Sequence, residues 1–190
     1  KNIMGLWLMQ ECRRQWQREG TELSYGDLAA MAQEAKPFAR HIDVDYGEFL
    51  APGDMPKRIN SYLIKTGQKA IRDKGQMVRV ILESLALKYR SVMQAVEDVA
   101  GHRIDVLHIV GGGIKNELLC EFTANALGKK VVTGPVEATA SGNILMQAIA
   151  TGQIKTLAEA RQIVRNTFEL KEYQPSETSL WQEQYEKCKK

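Results

Sequence analysis

Residues 104–116 have the sequence IDVLHIVGGGIKN, a short β-branched run followed at once by three glycines. The run Ile104–Val110 predicts a buried β-strand. The segment Asn116–Leu127 has a helical pattern, and Gly128 behind it is typical of a helix C-cap. Lys130–Thr133 predicts a second short strand. Because a helix connects the two strands, the sequence predicts an α/β fold with a parallel pair.

Helices are predicted on both sides of this pair. A stable α/β sheet has about four to six strands, so we expect a helix-rich domain with an incomplete sheet whose missing strands precede Lys1. The absence of an initiator Met likewise suggests a piece of a longer protein. Small residues in the helix from Glu137 should let it pack closely on a neighbour. The predicted helices are Ile3–Arg18, Ser24–Lys36, Pro56–Lys65, Gln76–Val99, Glu137–Thr151, Thr156–Phe168 and a last one capped by Ser176.

Composition excludes several classes of protein. The chain has 190 residues, 44% of them hydrophobic, which is enough for one compact domain with a sizeable core. With 26 Lys and Arg against 23 Asp and Glu, the net charge of +3 gives no case for a nucleic-acid or anionic-membrane partner. No apolar run approaches the roughly 18 residues of a spanning helix. The three cysteines are far apart, which indicates reduced thiols in a cytoplasmic protein.

The three glycines admit two interpretations. A glycine turn after a parallel strand can cradle phosphate or let a flat ring lie on the peptide plane, and it can equally be a tight turn without a ligand. It is neither a dinucleotide fingerprint, which requires glycine at Asn116, nor a P-loop, since no Gly-Lys-Ser/Thr follows. Asn116 can cap the next helix or present its amide to a ligand.

Residues 41–56 contain two prolines, two glycines and four acids, which predicts a long ordered loop. A loop of this length in a compact domain usually covers something or has a function. The alternating Asp43 and Asp45 could suggest a metal site, but we favour a solvated acidic loop.

Several runs of this sequence, taken together, resemble one known protein family. Residues 108–116 resemble the adenosine loop of the FGGY sugar kinases, within the actin, hexokinase and Hsp70 superfamily. The runs GPVEATASGN at 134–143, KNIMGLW at 1–7 and APGDMP at 51–56 are similar to the rhamnulokinase branch of that group. The resemblance implies an actin-like, ribonuclease H-like ATPase domain. Residues 1–190 would be the C-terminal, nucleotide-side domain of a two-domain kinase. In that domain, 41–56 would be a covering loop and 104–151 the adenosine-binding core.

The resemblance also implies an activity, the transfer of the γ-phosphoryl group of ATP, with Mg²⁺, to the 1-hydroxyl of L-rhamnulose. It places no catalytic or metal-binding residue in this chain, because the catalytic Asp, the phosphate loops and most of the sugar pocket belong to the missing N-terminal part. The chain alone should therefore be inactive. Asn2 and Gln10 should share one side of the first helix, since eight residues make a little over two turns. The implied contacts to ATP or ADP are Asn2, Gln10, Gly111, Gly112, Gly113 and Asn116.

Two alternatives stay open. The parent could phosphorylate another ketose or a polyol, as xylulose, fuculose and glycerol kinases do, because this segment carries little of the sugar pocket. The chain could instead be a non-catalytic nucleotide-binding or assembly module whose glycine loop is only a turn. An upstream Gly-Thr phosphate turn and an Asp placed as base would favour the enzyme.

Overall fold

A computed structural model describes residues 2–189, and Lys1, the first residue of one of the resembling runs, lies outside them. The described residues form eight α-helices and one three-stranded sheet, with short 3₁₀ turns at Gly47–Phe49 and Gly112–Lys115. The helices are α1 (Trp7–Arg18), α2 (Tyr25–Glu34), α3 (Met55–Lys65), α4 (Lys74–Ala100), α5 (Glu117–Leu127), α6 (Ala138–Ala150), α7 (Leu157–Thr167) and α8 (Thr178–Cys188). The strands are β1 (Val106–Ile109), β2 (Lys130–Thr133) and β3 (Glu172–Tyr173). The prediction of a helix-rich α/β domain is confirmed.

The sheet has the order β1-β2-β3. Strands β1 and β2 are parallel, with Val106 opposite Lys130 and Ile109 opposite Thr133, as the sequence predicted. The two-residue β3 adds an antiparallel edge that was not predicted. The prediction of a buried first strand is wrong, because β1 lies at the edge of the described sheet and is only partly buried. The buried strand is β2.

Helix α4 is the longest element, and its ends follow from local chemistry. Asp73 Oδ1 accepts a hydrogen bond from Gln76 N at 2.7 Å, and Gly101 ends the helix at φ +71°. The first half, through Leu87, is buried and packs against α2 and α5. The predicted apolar face does not stay buried beyond that point, since Val96 is 46% exposed and Val99 is 90% exposed.

Helix α1 begins four residues later than predicted. Gly5 takes φ +59°, a left-handed conformation that an α-helix cannot contain, so Ile3–Leu6 form a non-helical lead-in. Asn2 therefore precedes the helix, and the prediction that Asn2 and Gln10 share one helical face is wrong.

Two further predictions need correction. Ser176 does not cap α8, because its N and Oγ both donate to Asn125 Oδ1, at 2.7 and 3.1 Å, and the helix begins after Glu177. Helix α6 buries none of its residues against the described chain, so its small side chains do not pack it closely on a neighbour.

Every helix within residues 2–189 is too short or too polar to span a membrane.

The carboxylate of Glu83, on α4, is buried in the core. Its Oε1 accepts from Arg79 Nε at 2.7 Å, and its Oε2 accepts from Phe38 N at 2.9 Å. Burial raises the pKa of Glu83 to about 7, against the lowering effect of Arg79 and the Phe38 amide. The ionised side chain is thus less favourable in the folded chain than in water.

This carboxylate should make stability depend on pH. The folded pKa lies above the ordinary value of 4.5, so the folded state binds the proton more tightly than the unfolded state. The contribution of Glu83 is full below pH 4.5 and is lost as the pH rises towards 7. We expect Glu83→Gln, which has no charge, to remove this contribution.

Urea unfolding of both proteins at a series of pH values measures the effect. His41, whose pKa is lowered by burial, contributes in the opposite sense to both proteins and cancels in their difference. A difference in unfolding free energy that stays constant from pH 4.5 to pH 7 would contradict the prediction.

Candidate functional site

The glycine loop is fastened to the turn that follows β2. Gly111 N donates to Pro135 O at 3.1 Å, and Gly134 N donates to Ile109 O at 2.7 Å. Gly111 takes φ +83°, where a side chain would be strained. The runs 108–116 and 134–143, which carried the family resemblance, thus meet at one place in the fold.

The next two glycines are different. A Cβ atom at Gly112 or at Gly113 would meet nothing within 4 Å, and neither residue has a positive φ. The fold therefore requires glycine only at Gly111. At the other two positions, the missing side chain leaves open space beside the backbone, which suits the close approach of a ligand.

This open space belongs to a cavity of about 1140 Å³. Its walls come from α1 and its lead-in, α2, the second half of α4, β1, the glycine loop and the start of α5. Apolar side chains with a few polar groups among them suit a flat, largely apolar ligand. The apolar lining includes Ile3, Leu6, Met9, Ala29, Tyr89, Val92, Met93, Val96, Ile104, Leu107, Ile109, Val110, Leu118 and Leu119.

The structure brings four of the six predicted contact residues to this cavity. Gln10, Gly112, Gly113 and Asn116 lie in its lining. Gly111 shapes the loop behind them, and Asn2 is exposed, ahead of the lead-in and outside the lining.

Asn116 caps α5. Its Oδ1 accepts from Leu119 N at 2.9 Å, which satisfies one of the unpaired amides in the first turn. Its Nδ2 faces Met9 Sδ at 3.9 Å, and a thioether sulfur is a weak acceptor. The side chain thus keeps one strong donor atom for a ligand while its oxygen holds the helix.

We expect Asn116→Asp and Asn116→Ala to separate these two roles. Asp keeps an oxygen to cap α5 and loses the Nδ2 donor, so stability should be retained while affinity for ADP falls. Ala loses both, and its unfolding free energy should fall by about 1 kcal/mol. Urea unfolding and calorimetric titration measure the two quantities. Wild-type affinity in Asn116→Asp would exclude a ligand contact by Nδ2.

Sequence reasoning missed one wall of the cavity. Helix α2 contributes Tyr25, Gly26, Ala29 and Gln33. Gly26, Ala29 and Gln33 are three and four residues apart, so they lie on one helical face. This helical spacing, with small residues at Gly26 and Ala29, was the available signal for a helix that faces a cavity.

Other reactive groups have structural explanations. Burial raises the pKa of the Cys120 thiol to about 11, so it stays protonated at neutral pH. Two of the four acids in the 41–56 loop are ion-paired, since Lys88 Nζ lies 3.0 Å from Asp45 Oδ2 and 3.8 Å from Asp43 Oδ1. Residues 2–189 contain no group of three or more His, Cys, Asp or Glu side chains placed to hold a metal ion.

Comparison with known proteins shows the family of the chain. Residues 1–151 match the C-terminal domain of the FGGY family of carbohydrate kinases. The chain belongs to this family. Among FGGY relatives, it is 41% identical to the rhamnulokinase of Bacteroides thetaiotaomicron over 97% of its length, and 40% identical to that of Bacillus subtilis over 93%.

The likeness extends to solved FGGY structures. The xylulose kinase of Rhodospirillum rubrum superimposes with a TM-score of 0.66 over 96% of this chain and 36% of its own, at 19% sequence identity. At this identity, the likeness shows the fold alone. The chain spans 37% of the Bacteroides relative and 36% of the Bacillus relative.

Proposed function

We propose that this chain is the nucleotide-side part of an ATP-dependent kinase that transfers the γ-phosphoryl group to the 1-hydroxyl of L-rhamnulose. One observation carries the proposal. The cavity that holds Gln10, Gly112, Gly113 and Asn116 lies in a chain 41% identical to a rhamnulokinase over nearly its whole length. In this proposal, residues 104–151 are the adenosine-binding core, and 41–56 is a covering loop.

The proposed role of the chain is to bind and orient the nucleoside. The open backbone at Gly112 and Gly113 offers a flat surface for the ring, and Asn116 Nδ2 and the amide of Gln10 offer polar contacts at its rim. Orientation of one reactant can supply a large part of the rate enhancement in phosphoryl transfer. We propose that Mg²⁺ arrives with the phosphates of ATP and that the sugar binds to the part of the kinase outside this chain.

A second candidate keeps the reaction and changes the sugar. The fold is shared with a xylulose kinase, and none of the predicted contact residues in this chain is assigned to the sugar. A kinase of another ketose or of a polyol such as glycerol would use the same nucleotide cavity.

A chimera tests the proposal. Residues 1–190 replace the matching region of the Bacteroides rhamnulokinase, and the purified protein is assayed for ATP consumption with L-rhamnulose, L-xylulose and glycerol. We expect phosphorylation of L-rhamnulose, and none by residues 1–190 alone. A folded chimera without any kinase activity would contradict the proposal. Because the sugar pocket of the chimera comes from the Bacteroides enzyme, the second candidate is tested on the natural protein that contains residues 1–190. Its activity on L-xylulose or glycerol, with none on L-rhamnulose, would favour the second candidate.

A further inference from the structure

The loop at residues 41–56 is bonded to α1 and its lead-in at three places. Water could satisfy the polar groups of an exposed loop, so bonds to another element indicate a further structural role for this loop. All three join residues about forty positions apart in sequence. The bonds run from Met4 N to Asp45 Oδ1 at 3.2 Å, from Trp7 Nε1 to Phe49 O at 3.0 Å, and from Gly53 N to Glu11 Oε2 at 3.1 Å.

The loop is itself held in place from the other side. Ile42 and Phe49 are fully buried, and the rings of Tyr46 and Tyr62, the latter on α3, lie 5.0 Å apart. Lys88, on α4, pairs with Asp45, the residue that accepts from Met4 N. The loop therefore connects the lead-in of α1 to two helices that belong to the core.

The loop holds α1 from a side other than the one that faces the cavity, since Met4 lies in the lead-in and Trp7 and Glu11 are on a different helical face from Met9. Residues 4, 7 and 11 are bonded to the loop, and Met9 and Gln10 between them line the cavity. Met9 Sδ lies against Asn116, so a small shift of α1 changes the distance between Gln10 and the glycine loop. Because Gly5 interrupts the helix, the lead-in cannot be fixed by helical hydrogen bonds alone.

We propose that residues 41–56 are a positioning clamp, which sets the distance of Gln10 and Met9 from the glycine loop and so tunes nucleotide affinity. The clamp rests on the proposed nucleotide function. None of its residues is in the cavity lining, so they act through α1. Glu11, on α1, is only 1% exposed. Its carboxylate accepts from Gly53 N of the loop and from the Arg14 guanidinium of α1, so it ties the loop to the helix.

Asp45→Ala is the main test, with two companions. Asp45→Asn keeps an oxygen acceptor for Met4 N and should rescue the effect. Trp7→Phe removes the Nε1 donor while keeping an aromatic ring, so it tests a second bond should Asp45→Ala fold poorly. Tyr46→Phe is the matched control, because it removes an OH that bonds Glu48, within the loop, and Lys65, on α3, and neither of these bonds reaches α1.

We expect calorimetric titration to show ADP binding weakened about 5-fold in Asp45→Ala and Trp7→Phe, the effect of one hydrogen bond. Binding should be unchanged in Asp45→Asn and Tyr46→Phe. Without nucleotide, amide hydrogen exchange at residues 3–10 should accelerate only in the first two variants.

The outcomes separate the clamp from the function it serves. If the wild type binds ADP and Asp45→Ala and Trp7→Phe bind it equally well, the clamp is wrong and the nucleotide site stands. If Tyr46→Phe weakens binding as much as Asp45→Ala, the loop acts only through stability, and the clamp is again overturned. If the wild type binds no ADP, the proposed function falls and the clamp falls with it.

Discussion

Gly75→Ala is expected to lower the free energy of unfolding by about 1–3 kcal/mol, although alanine is the better helix former. Gly75 lies in the first turn of α4, where the helix crosses α2. A Cβ at this position would stand 2.5 Å from Met31 O and 2.8 Å from Met31 C, which are backbone atoms of α2. Backbone atoms cannot relieve the clash by a rotamer change, as a side chain can, so the two helices must separate.

Gly142→Ala is the matched control for this effect. Gly142 lies in the middle of α6, where an added Cβ would meet nothing within 4 Å. Glycine loses more conformational entropy than alanine when it folds into a helix. The substitution should therefore raise the free energy of unfolding by about 0.5–1 kcal/mol. Chemical denaturation of both variants compares the same substitution in two environments. A change of the same sign in both would contradict the close approach of α2 and α4.

Gly112→Val is expected to abolish detectable binding of ADP at millimolar concentration while leaving the chain folded. The added isopropyl group finds open space and no strained φ, so folding should tolerate it. That same space is where the nucleoside must approach the backbone. Calorimetry gives the affinity, and urea unfolding gives the stability of the same sample.

Gly111→Ala serves as the contrasting variant. At φ +83°, an alanine is strained, so the free energy of unfolding should fall by about 1–2 kcal/mol. Wild-type ADP affinity in a folded Gly112→Val protein would show that the glycine loop is a turn and nothing more. That result would favour the alternative that the chain is a non-catalytic assembly module.

Local chemistry made much of the fold predictable. Asn116 and Gly128 cap the two ends of α5 as predicted, because caps are chosen by hydrogen bonding within a few residues. The parallel pair followed from two short β-branched runs on either side of a helix. The glycine loop was found for the same reason, since three consecutive glycines carry their own signal.

Most of the incorrect predictions concern residues whose structure depends on contacts with residues distant in sequence. Strand β3 has only two residues, too few to show the alternation of apolar and polar side chains that predicts a strand. It forms because it pairs with β2. Ser176 had the chemistry of a cap, but Asn125, 51 residues away, takes both of its hydrogen bonds. Asn2 was placed on the first helix by the family resemblance, and the cause of this error is local, because the left-handed Gly5 separates Asn2 from α1. Of the candidate site, the glycine loop carried its own signal and Gln10 came from the family resemblance, whereas the wall from α2 was missed.

The central claim is that the nucleoside binds against the glycine loop and α1. The most direct measurement is an amide NMR titration of residues 1–190 with ADP. Our account predicts saturable shifts at Gly111, Gly112 and Gly113, at the backbone and side-chain amides of Asn116, and at the side-chain amide of Gln10. It predicts none in α7, whose residues lie outside the cavity lining. Saturable shifts that leave the glycine loop unmoved, or no shifts at millimolar ADP, would contradict it.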